Sequence, residues 1–98
     1  MNIEQKRNGN ALIVAPEGYL DTTTAPELES ELKTALPGVE ALTFDLEKLE
    51  YISSAGLRVL LSAQKVMDRQ GSMKVIHVNE VILEIFEVTG FADVLTIE

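Results

Sequence analysis

Residues Asp45 to Leu61, DLEKLEYISSAGLRVLL, change their hydrophobic period part-way along. Ahead of the serines, Leu42, Phe44 and Leu46 recur at every second position, the spacing of a strand with one inward face. Beyond them, Leu57, Leu60, Leu61, Ala63, Val66 and Met67 recur at helical spacing as a broad apolar stripe, and Arg58, Ser62, Lys65 and Arg69 point the other way. A chain that passes so directly from an apolar strand to a long amphipathic helix is of the α/β class. The switch also sets Ser53-Ser54-Ala55-Gly56 at a helix mouth, where backbone N–H groups lack intrahelical partners and the macrodipole favours negative charge. A serine there suits a helix cap, a contribution of about 1 kcal/mol, and the same place suits a phosphate.

The remaining elements support this turn. Met1 to Pro16 reads as two strands about Asn8-Gly9-Asn10, with Ala11 to Ala15 an apolar run suited to a strand covered on both faces. Glu17 to Thr23 reads as a loop. Thr24-Ala25-Pro26-Glu27 fits a capping box with Thr24 as N-cap and Glu27 reaching back, opening a helix over Ala25 to Leu36 that Pro37-Gly38 stops. A strand is expected at Ala41 to Leu46, then a loop through Lys48 to Tyr51, then a helix from about Ala55 to Gln70 closed by Gly71 in left-handed conformation. Met73 to Val78 reads as a buried strand, and Asn79 as the cap of a helix whose apolar face holds Val81, Ile82, Ile85 and Phe86 and which Gly90 ends. One more turn and a short strand at Val94 to Ile97 complete the chain. The order β-β-α-β-α-β-α predicts a single domain over residues 1–98: a small mixed sheet of about four or five strands, central ones parallel, packed with three or four helices. The loops before Thr24, Ser54 and Asn79 are expected together at the carboxyl edge of that sheet, where such folds gather function.

Charge and composition narrow the chemistry. Sixteen acidic residues against eight basic ones give a net charge of −8, which argues against nucleic acid and anionic membrane surfaces as partners. No apolar run approaches the roughly 20 residues of a membrane span, and the polar N-terminus lacks a signal-peptide core, so a cytoplasmic protein is expected. The chain has no cysteine, and its one histidine, His77, reads as a structural residue inside an apolar strand, so no metal site, cofactor or serine triad is expected. The acidic residues read as spread along helix faces and strand ends without a tight pair. Neither a phosphate-binding glycine loop nor a G-x-S-x-G turn is present, and the chain does not read as an enzyme.

Leu49-x-Tyr51-Ile52-Ser53-Ser54-Ala55-Gly56-Leu57, with Asp45-Leu46 upstream, resembles the signature of the STAS domain in bacterial anti-sigma factor antagonists. Gly18-Tyr19-Leu20-Asp21 leading to Thr24-Ala25-Pro26-Glu27-Leu28, and Val88-Thr89-Gly90-Phe91, fall where that family has similar stretches. The resemblance implies a STAS fold and a partner-switching role. Unphosphorylated, such a protein binds an anti-sigma factor that is also a serine kinase and so frees a sigma factor; phosphorylation releases the complex and a PP2C-like phosphatase restores it. By position it implies Ser54 as phosphoacceptor, with Ser53 second, and partner contacts at Asp21, Thr24, Ser53, Ser54, Ala55, Gly56, Leu57 and Arg58, Gly56 letting the helix start lie close to the partner. This chain has Ser53 where better-known members have Asp, which leaves two neighbouring hydroxyls. The alternative reading is a STAS interaction module that is not phosphorylated, such as a subunit of a lipid-transport complex or a component of a signalling assembly.

Overall fold

The computed structural model describes all 98 residues, Met1 to Glu98. β1 (Ile3–Asn8) and β2 (Ala11–Pro16) form the expected hairpin, and β3 (Gly18–Leu20) follows after one residue. α1 spans Ala25–Ala35, β4 Ala41–Asp45, β5 Leu49–Ile52, α2 Ser54–Gln70, β6 Ser72–Ile76 and α3 Glu80–Thr89, with a single 3-10 turn at Phe91–Asp93. This is the expected mixed α/β architecture, with three α-helices and six strands rather than four or five.

The two extra strands lie in stretches that read as loops. β1, β2, β4 and β6 form a four-stranded sheet in that order, antiparallel at β1–β2 and parallel thereafter. β3 and β5 pair with each other as a separate parallel ribbon, with Leu20 opposite Ile52. Strands of three and four residues carry too little alternation to announce themselves. They exist because β2 and β4 run on, past short breaks, as β3 and β5.

Twenty-three buried apolar residues make one core. The inward sets are Leu12 and Val14 of β2, Leu42 and Phe44 of β4, and Met73 and Val75 of β6, which face the helices. Ile13 on the opposite face is 39% exposed, so β2 is covered on one face and not on two. In α3 the buried face is Ile82 and Phe86, with Ile85 half-buried, while Val81 points outward.

Four further expectations change. Thr24 lies in helical conformation and its side chain does not cap α1, while Glu27 pairs with the N-terminal amine of Met1 at 2.8 Å instead of reaching back. Gly71 has extended backbone (φ 169); it is required because a Cβ there would collide with the Glu40 carbonyl, whose oxygen accepts from Ser72 N at 2.9 Å. β6 ends at Ile76, so His77 lies outside the strand, its side chain 56% exposed and its backbone left-handed (φ 57), which is unusual for a non-glycine residue. The final strand is reduced to a bridge between Ile97 and Val75. No helix is long and apolar enough to cross a membrane.

Candidate functional site

The ribbon of β3 and β5 builds the site. Because the two strands are parallel and in register at their ends, the residues that follow them, Asp21 and Ser53, emerge side by side, and Ser53 N donates to the Leu20 carbonyl at 2.8 Å. Asp21 ties the first loop. Its Oδ1 accepts from the Thr23 hydroxyl at 2.7 Å, from Thr23 N at 2.9 Å and from Thr24 N at 3.1 Å. The Thr24 hydroxyl donates to the Tyr19 carbonyl at 2.7 Å and accepts from Asp21 N at 2.8 Å. The Thr23 hydroxyl, then the backbone amides of Thr23 and Thr24, hold the Asp21 carboxyl below the usual carboxylate range, so the rim carries a negative charge at neutral pH.

Ser53 is the N-cap of α2 by backbone (φ −96, ψ 177), and its carbonyl accepts from Leu57 N at 2.9 Å. Its side chain caps nothing: Ser53 Oγ is buried and has no hydrogen-bond partner. Ser54, the first residue of the helix, is exposed. The two neighbouring hydroxyls therefore differ, one shut in and one at the surface.

Gly56 is buried, and a Cβ there would lie 2.7 Å from both Leu20 Cγ and Ile52 Cγ1. The close approach it permits is to the ribbon beneath, and Leu57 is likewise buried in the core. Both hold the helix start in place. Ala55 and Arg58 face outward instead, lining with Thr22, Pro26 and Ser62 a cleft of about 320 Å³ between the starts of α1 and α2. Of the residues expected at the site, Asp21, Thr24, Ser53, Ser54, Ala55 and Arg58 thus share one rim.

Two tyrosines that stand in the quoted motifs but are not among the expected site residues join that rim. Tyr19 and Tyr51 are register partners across the ribbon, 56% and 41% exposed, with ring centroids 6.2 Å apart. Their signal was position: each of the chain's two tyrosines stands two residues before a site residue, hence on the same side of its strand.

The sequence model of the STAS domain matches residues 2–98. The chain belongs to the STAS domain family. BtrV of Bordetella bronchiseptica is 32% identical over 99 residues, covering 99% of this chain and 85% of the relative. The anti-sigma-B factor antagonist of Bacillus subtilis is 30% identical over 98 residues, covering 99% and 90%. Among solved structures, an anti-sigma factor antagonist from Mycobacterium paratuberculosis superposes with a TM-score of 0.88 at 21% identity, covering 98% of this chain and 83% of that one. The unphosphorylated form of the anti-sigma factor antagonist SpoIIAA gives 0.85 at 14% identity, covering 99% and 88%, and the phosphorylated form of SpoIIAA gives 0.77 at 14%, covering 99% and 91%. At these identities the superpositions establish the fold.

Away from the serine rim, the loop before α3 does not join the site as expected. Asn79 Nδ2 donates to the Leu49 carbonyl at 3.0 Å, at the opposite end of β5 from Ser53. Beside it, His77 Nδ1 meets Asp45 Oδ1 at 2.8 Å. The hydrogen bond and charge of Asp45 raise the His77 imidazole above its ordinary value. Burial acts to raise Asp45, but the His77 bond, the Glu47 amide and the charges of His77 and Lys6 outweigh it and hold that carboxyl low.

Proposed function

We propose that this STAS protein is a cytoplasmic anti-sigma factor antagonist that binds an anti-sigma factor with serine-kinase activity and is switched off by phosphorylation of Ser54. A PP2C-like phosphatase then restores the binding form. The observation that carries the reading is the contrast between an exposed Ser54 hydroxyl at the first position of α2 and a Ser53 hydroxyl that is buried beside it. A kinase reaches the first and not the second. The names of the curated relatives and the existence of a phosphorylated form of SpoIIAA support the same reading.

The physics of the switch follows from where the hydroxyl sits. A phosphate adds about −1.5 to −2 charges, and a helix N-terminus offsets part of the cost of that charge by about 0.3–1 kcal/mol. Arg58 lies four residues on, on the same helix face, and makes no ion pair of its own. The i,i+4 spacing supports an ion pair between Arg58 and a phosphate on Ser54. The fold therefore tolerates the modification, whereas a partner packed over Ser54 and facing the Asp21 carboxylate meets an added dianion. A nanomolar complex is worth about 12 kcal/mol, and each 1.4 kcal/mol removed weakens it about tenfold. In this reading the chain is the substrate and the binding surface.

The test is incubation with the cognate kinase and ATP, then mass spectrometry and a pull-down. One phosphate on Ser54, with loss of the complex, is the expected result. Absence of phosphate on either serine together with absence of any complex would overturn the proposal.

A further inference from the structure

Asp45 and His77 stand at the carboxyl ends of the adjacent parallel strands β4 and β6, where Asp45 is opposite Ile76, and Glu47 follows two residues after Asp45. One donor atom from each of the three, an imidazole nitrogen and two carboxylate oxygens, lies within 4.8 Å of the other two. We propose that Asp45, Glu47 and His77 form a binding site for a divalent transition cation of the Zn²⁺ type. The site is independent of the serine rim and of the function assigned to it.

A cation bonded to nitrogen and oxygen donors at roughly 2.0–2.2 Å holds those donors no more than about 4.4 Å apart. The Asp45–His77 pair, at 2.8 Å, already satisfies this. Glu47 is an exposed side chain, and a small rotation brings its carboxylate within the same limit. His77 is held rather than loose: its left-handed backbone (φ 57) follows directly from the end of β6, whose last carbonyl, on Ile76, accepts from Leu46 N at 3.0 Å. Asp45 is held likewise, its Oδ1 accepting from Glu47 N at 3.1 Å. Two of the three donors are thus preset by the parallel pairing of β4 with β6.

The donor set selects the ion. Ca²⁺ and Mg²⁺ prefer oxygen alone, whereas one imidazole with two carboxylates suits Zn²⁺, Co²⁺ or Ni²⁺. Neutral His77, protonated on Nε2, presents its Nδ1 lone pair to the cation in place of the hydrogen bond it now makes with Asp45. Three protein donors leave the remaining positions to water or to a donor from another molecule. No thiolate competes, because the chain has no cysteine, and His77 is its sole imidazole.

That last fact makes the test direct. Untagged protein, at a pH well above the imidazole range, is titrated with ZnCl₂ by calorimetry and with CoCl₂ by visible absorption, while the His77 ring resonances are followed by NMR. The expected result is uptake of one cation per chain, with the His77 signals saturating at one equivalent. His77→Asn, which retains a residue tolerant of left-handed backbone, and Glu47→Gln should each weaken binding about tenfold or more. Both variants should keep the far-ultraviolet circular dichroism and the metal-free unfolding midpoint of the wild type. No saturable uptake, or uptake that survives His77→Asn, would overturn the site. So would His77-dependent uptake that Glu47→Gln changes by less than about twofold, since that describes a lone surface imidazole.

Discussion

α2 and α3 each begin at an extended residue after a parallel strand, Ser53 (φ −96, ψ 177) and Asn79 (φ −77, ψ 168). At α3 the side chain closes the helix: Asn79 Oδ1 accepts from Ile82 N at 2.9 Å, and its Nδ2 donates to Leu49 O, tying the helix start to β5. At α2 the corresponding side chain does neither, and the next residue offers an exposed hydroxyl beside unpaired helix N–H groups. The same backbone geometry therefore serves two ends. One helix start is finished internally and contributes stability; the other is left open, as the switch proposed at Ser54 requires.

The sharpest way to break this comparison is to load the open end. Ser54→Asp is expected to weaken binding of the anti-sigma factor about a hundredfold, about 2.7 kcal/mol, with an unchanged unfolding midpoint; calorimetric titration and thermal unfolding of the same samples check both halves. A complex that keeps wild-type affinity would return α2 to the class of α3, a start that is structural only. Next in size is Gly56→Val. Its side chain meets Leu20 and Ile52 head-on, and overpacking of this kind costs about 1–3 kcal/mol, read from denaturant unfolding.

The paired deletions come third. Asn79→Ala removes a cap and leaves the Leu49 carbonyl short of a donor, a loss of about 1–2 kcal/mol in chemical denaturation, with partner affinity unaffected. Ser53→Ala removes a hydroxyl that bonds to nothing, so stability should change by no more than about 0.5 kcal/mol or should rise slightly. Equal losses in the two variants would show that the helix starts are alike after all. The smallest effect is one of pH. The Asp21 carboxyl is held low in the folded state, so its contribution is complete above the unfolded carboxylate pKa and is lost as pH falls through the lower folded value. Wild type should therefore lose stability across that acidic interval more steeply than Asp21→Asn, measured by unfolding at stepped pH.

Much of the fold is legible from local spacing. The three helices fall within a residue or two of where the apolar stripes, Pro37 and Gly90 place them, and Asn79 caps as its type predicts. What spacing does not carry is pairing. β3 and β5 are strands because each finds the other, a non-local event that three or four residues do not encode. Thr24 has the composition of a capping box, yet its hydroxyl is taken by Tyr19 and Asp21, since the loop closes on Asp21 first. His77 sits among Val75, Ile76 and Val78 and reads as a strand residue, but the turn into α3 swings it out to Asp45, whose proximity depends on β4 lying beside β6.

The covalent order of Ile52-Ser53-Ser54-Ala55-Gly56 alone determined that two hydroxyls would stand at the mouth of a long helix, because the change from period two to period 3.6 happens there and nowhere else along that stretch. Which hydroxyl faces out was decided only in three dimensions. Ser53 N is bound to Leu20 O, and Gly56 lets α2 settle onto Leu20 and Ile52; together these turn Ser53 Oγ inward and leave Ser54 at the surface. Adjacent serines are equivalent in sequence, and packing against a second strand is what makes them different.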